Sequence, residues 1–245
     1  MKQLYNTIGV GYSNLRKPDL RIEQTINTAL GAVQTVLNVG AGTGSYEPTD
    51  RIVTALEPSI EMIRQRPPGS ARAKQGTAEH MPFDDDQFDA AMAVLTIHHW
   101  SDVEAGLLEM RRVAKKRLVI LTFDPAAPYF WLADYIPEIV ELDQPIMPKL
   151  SEFGRILGKV EITTVPVPHD CSDGFLGAYW RRPEAYLNPL VRAAISTFAK
   201  LDNISGQLDK LNSDLNSGVW AEKNAHLLEL DSLDIGYRLV VADLS

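Results

Sequence analysis

The sequence predicts an α/β fold: a mostly parallel sheet covered by helices, in one domain that carries helical insertions. Two observations lead there. Short runs of branched aliphatic residues alternate with longer amphipathic or polar stretches, as strands joined by covering helices do. The chain of 245 residues is long enough to bury a core of its own and too short for a second full domain beside it.

Residues 19–31 place Leu20, Ile22, Ile26 and Leu30 near helical spacing, with Gly31 as a stop signal, so a helix precedes the first strand. The aliphatic runs 36–39, 52–56, 90–95 and 118–123 are predicted strands. Ser101 is the expected N-cap of the next helix, because Asp102 and Glu104 fill its first turn and Leu107, Leu108, Met110 and Val113 give it an apolar face. After Phe123 comes proline-punctuated, aromatic-rich sequence over 124–148, then a helix around 150–157 and a strand at 160–165. Residues 166–233 read mainly as helix, including 183–200 and 219–230, before a last strand at 237–241 that is expected at a sheet edge. The reading is thus a single domain over 1–245 with helical cap insertions at about 124–158 and 166–233.

Composition excludes several functions. A formal charge of −8 works against phosphate backbones, whose binding rests on Lys and Arg, so nucleic acid is not an expected partner. Cys171 is the only cysteine, which rules out an intrachain disulfide and a clustered cysteine metal site and fits a reducing compartment. No run of about 18 apolar residues occurs and the start has no export-type apolar stretch, so a cytoplasmic protein without membrane contact is expected. Oligomeric state leaves no signature.

The strongest chemical signal is the run Val36-Leu37-Asn38-Val39-Gly40-Ala41-Gly42-Thr43-Gly44, an apolar strand passing straight into glycines at alternate positions. Glycines there let the backbone turn sharply and approach a ligand closely at the carboxyl end of the strand, where open parallel sheets bind ligands. Taken alone, the same pattern also fits an ordinary strand-to-helix turn. The next aliphatic run ends in Glu57, a carboxylate able to accept hydrogen bonds from both hydroxyls of a ribose. A dinucleotide fingerprint would need a glycine at Ser45, and no Lys or Arg follows the loop to grip phosphate, so NAD and ATP are disfavoured against a ligand without phosphates.

With these residues and the later segment 76–89, the chain resembles class I S-adenosylmethionine-dependent methyltransferases, particularly the methyltransferase 11-like group, over residues 35–124 with a weaker echo at 236–242. The resemblance implies a Rossmann-like, doubly wound seven-stranded sheet in the order 3-2-1-4-5-7-6 with the last strand antiparallel. It also implies S-adenosyl-L-methionine as cofactor. Gly40, Ala41, Gly42 and Gly44 would lie under its methionine part, Glu57 with Pro58 at the ribose, Thr77, Ala78 and Glu79 beside the adenine, and Leu95 beneath the sulfonium. Tyr5, Tyr12 and Arg16 match aromatic and basic positions of a lid, where Arg16 could pair with the cofactor carboxylate. Three departures stand out: Asn38 and Thr77 where the family usually has acids, and a short interval from Gly44 to Glu57 that truncates the helix after the loop.

Methyl transfer from a sulfonium is an in-line displacement that needs alignment and sometimes a base. His98 and His99 are the candidate bases, since they follow the fourth strand on the acceptor side. No metal is expected: His80, His169 and His226 are scattered, and the acids at 84–86 read as a solvated turn. Tyr129, Phe130, Trp131, Tyr135, Phe175, Tyr179 and Trp180 are expected to divide between cap core and acceptor pocket, with Arg181, Arg182 and Asp170 nearby. The expected activity is methyl transfer to a small molecule. The rival readings are a non-catalytic protein that binds S-adenosylmethionine or S-adenosylhomocysteine, and an NAD-dependent oxidoreductase.

Overall fold

The computed structural model describes residues 16–244. Its main sheet contains β1 (Thr35–Val39), β2 (Ile52–Glu57), β3 (Arg72–Gln75), β4 (Phe88–Val94), β5 (Ala114–Phe123), β6 (Glu161–Thr164) and β7 (Tyr237–Asp243). The spatial order is β3-β2-β1-β4-β5-β7-β6. Strands β1 to β5 pair in parallel, and β7 is antiparallel to both β5 and β6. This is the doubly wound arrangement expected from the resemblance. The last strand, however, is internal to the sheet and not at its edge, because β6 pairs with its outer side.

Both faces of the sheet are covered, which is why its central strands read as unbroken apolar runs. Along β5, Val119 and Leu121 join one core while Leu118 and Ile120 join the other; in β4, Met92 and Ala91 divide the same way. On the first face lies α1 (Leu20–Leu30), capped by the Asp19 carboxylate and ended by Gly31 at φ 65°. It buries Ile22, Ile26 and Leu30, whereas Leu20, which the spacing groups with them, points to solvent. After β2 comes the short α2 (Ile60–Arg64), capped by Ser59. On the second face lies α3 (Val103–Val113), whose N-cap is Asp102, not Ser101: the Asp102 carboxylate accepts the Ala105 N–H, while Ser101 donates to Glu79.

The cap begins with α4 (Leu132–Tyr135) and α5 (Glu138–Asp143). The next helix, α6 (Leu150–Leu157), buries Phe153 and Leu157 in the same core as Leu107 and Met110 of α3, so it covers the sheet. Residues 165–236 form the rest of the cap around α7 (Pro189–Ala193), α8 (Ser205–Ser217) and α9 (Val219–Lys223). The continuous helix expected over 183–200 is broken into a 3-10 turn, α7 and a second turn. Pro189 has no N–H to continue a helix from 183–187, and it sits at the first turn of a new one capped by Asn188. The expected 219–230 helix likewise stops at Lys223 and resumes as a 3-10 turn at Ala225–Leu227.

The cap has its own aromatic centre. Trp131 Nε1 donates to the Trp180 carbonyl at 2.6 Å and Trp180 Nε1 to the Val167 carbonyl at 2.9 Å, with the Trp131 ring edge-on to Tyr186 and Trp220. Its roots are tied together at the sheet: Asp124 N donates to the Gly236 carbonyl at 2.8 Å and Val165 N to the Tyr237 carbonyl at 2.9 Å. Among the described residues no helix is long and apolar enough to cross a membrane.

Candidate active site

The tips of β1 and β2 meet. Val39 pairs with Leu56, and the N–H groups of Gly40 and Ala41 both donate to the Leu56 carbonyl, at 2.8 and 3.1 Å. Gly40 turns at φ 66°, and a Cβ there would collide with the Thr96 hydroxyl. Gly42, at φ 52°, faces open space, with no atom within 4 Å of where a Cβ would stand. Residues 40–51 form turns without a helix, as the short interval predicted.

Glu57 ties the two tips. Its Oε2 accepts the Gly42 N–H at 2.8 Å and its Oε1 the Ser59 N–H at 2.8 Å, so the residue is buried yet lines the cleft. Burial pushes its carboxyl above the usual range, against the pull of those N–H groups and the Arg66 charge. A second buried set stands behind the loop: Arg66 pairs with Glu47 at 2.7 Å and donates to the Gly42 carbonyl, and Asn38 Nδ2 donates to Glu47. The neutral Asn38 thus works with Glu47, which supplies the negative charge to this corner. Nothing local in the sequence marks the Glu47–Arg66 pair, because its partners are brought together only by the fold.

Gly40, Ala41, Gly42, Glu57, Pro58, Thr77, Ala78, Glu79 and Leu95 all line one cavity of about 470 Å³, together with Arg16. Gly44 does not line it; a Cβ there would press on Arg66 and Glu47. Glu79 also has a structural task, since its Oε1 accepts the N–H and hydroxyl of Ser101 at 2.7 and 2.8 Å. Burial works upward on its carboxyl, and the bonds from Ser101 outweigh that and hold it below the usual range. Tyr5 and Tyr12 lie outside the described residues. Arg16 pairs with the buried Asp173, Nε to Oδ1 at 2.6 Å, and Asp173 also accepts the Tyr46 hydroxyl at 2.9 Å.

A second chamber of about 90 Å³ adjoins the first. Arg16, Leu95 and His99 line both cavities, whereas His98 lines only the smaller one. Leu95 sits at this junction at φ 51°, a left-handed conformation that is costly for a non-glycine residue and clusters at functional sites. The two imidazoles lie 3.9 Å apart between ring centroids. Burial lowers His99 to about 4, helped by the positive charges of Lys200 and Arg16, and lowers His98 well below its ordinary value. Both rings are therefore uncharged at neutral pH.

The cap supplies the rest of the chamber. Of the seven aromatic residues singled out in the sequence, Tyr129, Phe130 and Phe175 line it. Trp131, Tyr135 and Trp180 are buried in the cap core, and Tyr179 lies beneath the Arg182 guanidinium. Arg181 and Arg182 are spent on carbonyl oxygens, and Asp170 pairs with Arg21, so none of the three faces the chamber. Asp143 and Thr197 do line it, and sequence reasoning missed both. In the 84–86 turn, Asp85 pairs with Arg112 at 2.8 Å.

The family model for a methyltransferase domain, of the methyltransferase 11 type, matches residues 37–121. Among solved structures, a protein from Anabaena variabilis named as a methyltransferase from an antibiotic biosynthesis pathway is 36% identical, covering 93% of this chain and 98% of that one at a TM-score of 0.88. Among curated proteins, the uncharacterized methyltransferase YcgJ of Bacillus subtilis is 33% identical over 104 residues, 38% of this chain and 41% of its own length. The 2-methyl-6-phytyl-1,4-hydroquinone methyltransferase of Spinacia oleracea is 27% identical over 167 residues, 61% of this chain and 47% of its own length. The chain thus spans less than half the length of these curated relatives. Likeness to the Anabaena protein, by contrast, runs from one end of both chains almost to the other, in fold as well as residues, and with it the chain belongs to the class I S-adenosylmethionine-dependent methyltransferases.

Proposed function

We propose that this chain transfers a methyl group from S-adenosylmethionine to a small-molecule acceptor, with the donor in the larger cavity and the acceptor in the smaller chamber. The observation that carries this reading is the junction: the two cavities meet at Leu95, His99 and Arg16. In-line displacement needs donor and nucleophile on opposite sides of the migrating carbon, and a shared wall between two compartments provides that alignment. The chain is read as one domain whose cap segments close the acceptor side.

The larger cavity suits an adenosyl ligand. About 470 Å³ lies within the range of small-molecule sites, Gly42 leaves backbone open to a close approach, and Glu57 retains lone pairs for two ribose hydroxyls. Gly40, Ala41 and Gly42 would carry the methionine part, Glu57 with Pro58 the ribose and Thr77, Ala78 and Glu79 the adenine, with Arg16, held by Asp173, in the cavity wall. Bound there, S-adenosylmethionine supplies an electrophilic methyl group. A nicotinamide dinucleotide suits the site less well, since no helix N-terminus follows the glycine loop to receive a pyrophosphate.

His98 and His99, uncharged, can accept a hydrogen bond from the acceptor's nucleophilic group and orient its lone pair. With His99 at about 4, a proton taken up there passes on readily to water, so the imidazoles position more than they store charge. The chamber of about 90 Å³ cannot enclose a long isoprenoid tail such as the one in the Spinacia enzyme's name. This supports a compact acceptor.

Calorimetry with S-adenosylmethionine, S-adenosylhomocysteine and NAD, joined to a methyl-release assay over a metabolite panel, tests the proposal. Binding of both sulfur ligands with turnover of a small acceptor is expected. Preference for NAD would end this reading, and cofactor binding without any turnover would favour the non-catalytic alternative.

A further inference from the structure

The acceptor's chemistry can be narrowed, given the reading of the smaller chamber as the acceptor site. Asp143, at the end of α5, is buried in the chamber wall. Both of its oxygens face one hydroxyl, Thr197 Oγ1, at 3.0 and 2.8 Å, and a hydroxyl donates only one proton. Among the described residues no cation stands within ion-pair distance of it: Arg16 pairs with Asp173, and Lys200 is exposed and acts on Asp143 only at longer range. Tyr129 lines the same chamber, and its hydroxyl is buried without a hydrogen-bond partner among the described residues.

Such a pair is costly unless something completes it. A buried carboxylate with unused lone pairs and a buried phenol that no protein group satisfies each need a polar partner, water or ligand, inside the chamber. The charge balance has a sign. Among the described residues that line the chamber, the charge of Arg16 is balanced by Asp173, the two imidazoles are uncharged, and the Asp143 carboxyl is the acid without a paired cation. Burial raises the Asp143 carboxyl above its ordinary range, against the Thr197 hydrogen bond and the Lys200 charge, as expected of an acid that lacks a counter-ion. The surrounding wall is rich in aromatic residues: Phe123, Tyr129, Phe130 and Phe175 line it.

We propose that the acceptor is a small amine whose ammonium group is held by Asp143, with the Tyr129 hydroxyl oxygen accepting a further N–H and the neighbouring rings adding cation–π attraction. At about 90 Å³ the chamber has room for several water-sized groups, which suits a compact acceptor such as one ring with a short amino substituent.

The test is calorimetry on the full chain saturated with S-adenosylhomocysteine, using benzylamine, benzyl alcohol and benzoate as probes. Benzylamine is expected to bind at least about tenfold more tightly than benzyl alcohol, with benzoate weakest. Asp143→Asn should bring amine and alcohol within about twofold of each other and leave S-adenosylhomocysteine affinity unchanged, since Asp143 does not line the larger cavity. Tyr129→Phe should weaken benzylamine by about threefold without lowering the melting temperature, because it removes a hydroxyl that no protein group satisfies. If Asp143→Asn does not fold, Tyr129→Phe carries the test. Equal or tighter binding of the alcohol or benzoate, an amine preference that survives Asp143→Asn, or no binding of benzylamine at millimolar concentration overturns the proposal. Should S-adenosylhomocysteine itself not bind, the methyltransferase reading of the larger cavity fails, and the same titrations on the free chain still decide the amine question.

Discussion

Replacing Glu57 by alanine removes an acceptor shared by the glycine loop and the start of α2. In the protein alone, the N–H groups of Gly42 and Ser59 each lose a charged partner at 2.8 Å. Hydrogen bonds to charged groups contribute about 1.5–3 kcal/mol each, but water can enter this cleft and replace part of the loss, so stability should fall by about 2 kcal/mol. In the complex, two ribose hydroxyls lose their acceptor as well. Two such bonds at the low end amount to about 3 kcal/mol, or roughly a hundredfold in dissociation constant. Glu57→Gln keeps one acceptor oxygen and turns an NH2 toward the other amide, so it should fall between the two. Titration calorimetry with S-adenosylhomocysteine and thermal melts on the three proteins give both rankings. If Glu57→Ala loses the expected stability yet binds S-adenosylhomocysteine within about threefold of wild type, the carboxylate is only a brace for the loop and the ribose assignment is refuted.

Gly42→Val places a branched side chain in the open cleft at a left-handed backbone position, so it should cost roughly 1–2 kcal/mol of stability and at least about a hundredfold in S-adenosylhomocysteine affinity by calorimetry; near-native binding would show the cofactor lies elsewhere. His99 makes stability depend on pH. Its folded value of about 4 is below the unfolded value near 6.5, so the unfolded state takes up the proton first, and stability present above about pH 6.5 is lost as the pH falls toward 4, by up to about 3 kcal/mol. Urea melts across that window should show this slope in the wild type and a shallower one in His99→Gln, and identical slopes would mean that the imidazole is not desolvated.

How far the sequence reveals this molecule depends on the range of the forces involved. Strands β1, β2, β4 and β5 were legible because both sheet faces are buried, which leaves unbroken aliphatic runs. The Arg-Ala-Lys-Gln edge strand β3 has one partner and three exposed residues, so no apolar run betrays it. Helix α8 fell inside the broad helical reading of 166–233 without bounds of its own, because only Leu211 is fully buried along its length. The Asp102 cap was assigned one residue early, since Ser101 is as good a capping residue until Glu79, which no local signal connects to it, claims its hydroxyl. In the cleft, the glycine loop and Glu57 announced themselves through spacing. Asp143 meets Thr197 across 54 residues and Arg16 meets Asp173 across 157, and neither meeting has a periodicity to read.

The tied roots of the cap have a consequence for how such an enzyme can change. Segment 165–236 departs from β6 and rejoins β7 at neighbouring positions of the same ladder, so the excursion begins and ends practically at one point. The entropy of closing that long loop is already met by strand pairing, whatever sequence fills it. Whole excursions could therefore be exchanged between homologues, which on the proposed reading would alter the acceptor while β1, β2 and the glycine turn stay untouched.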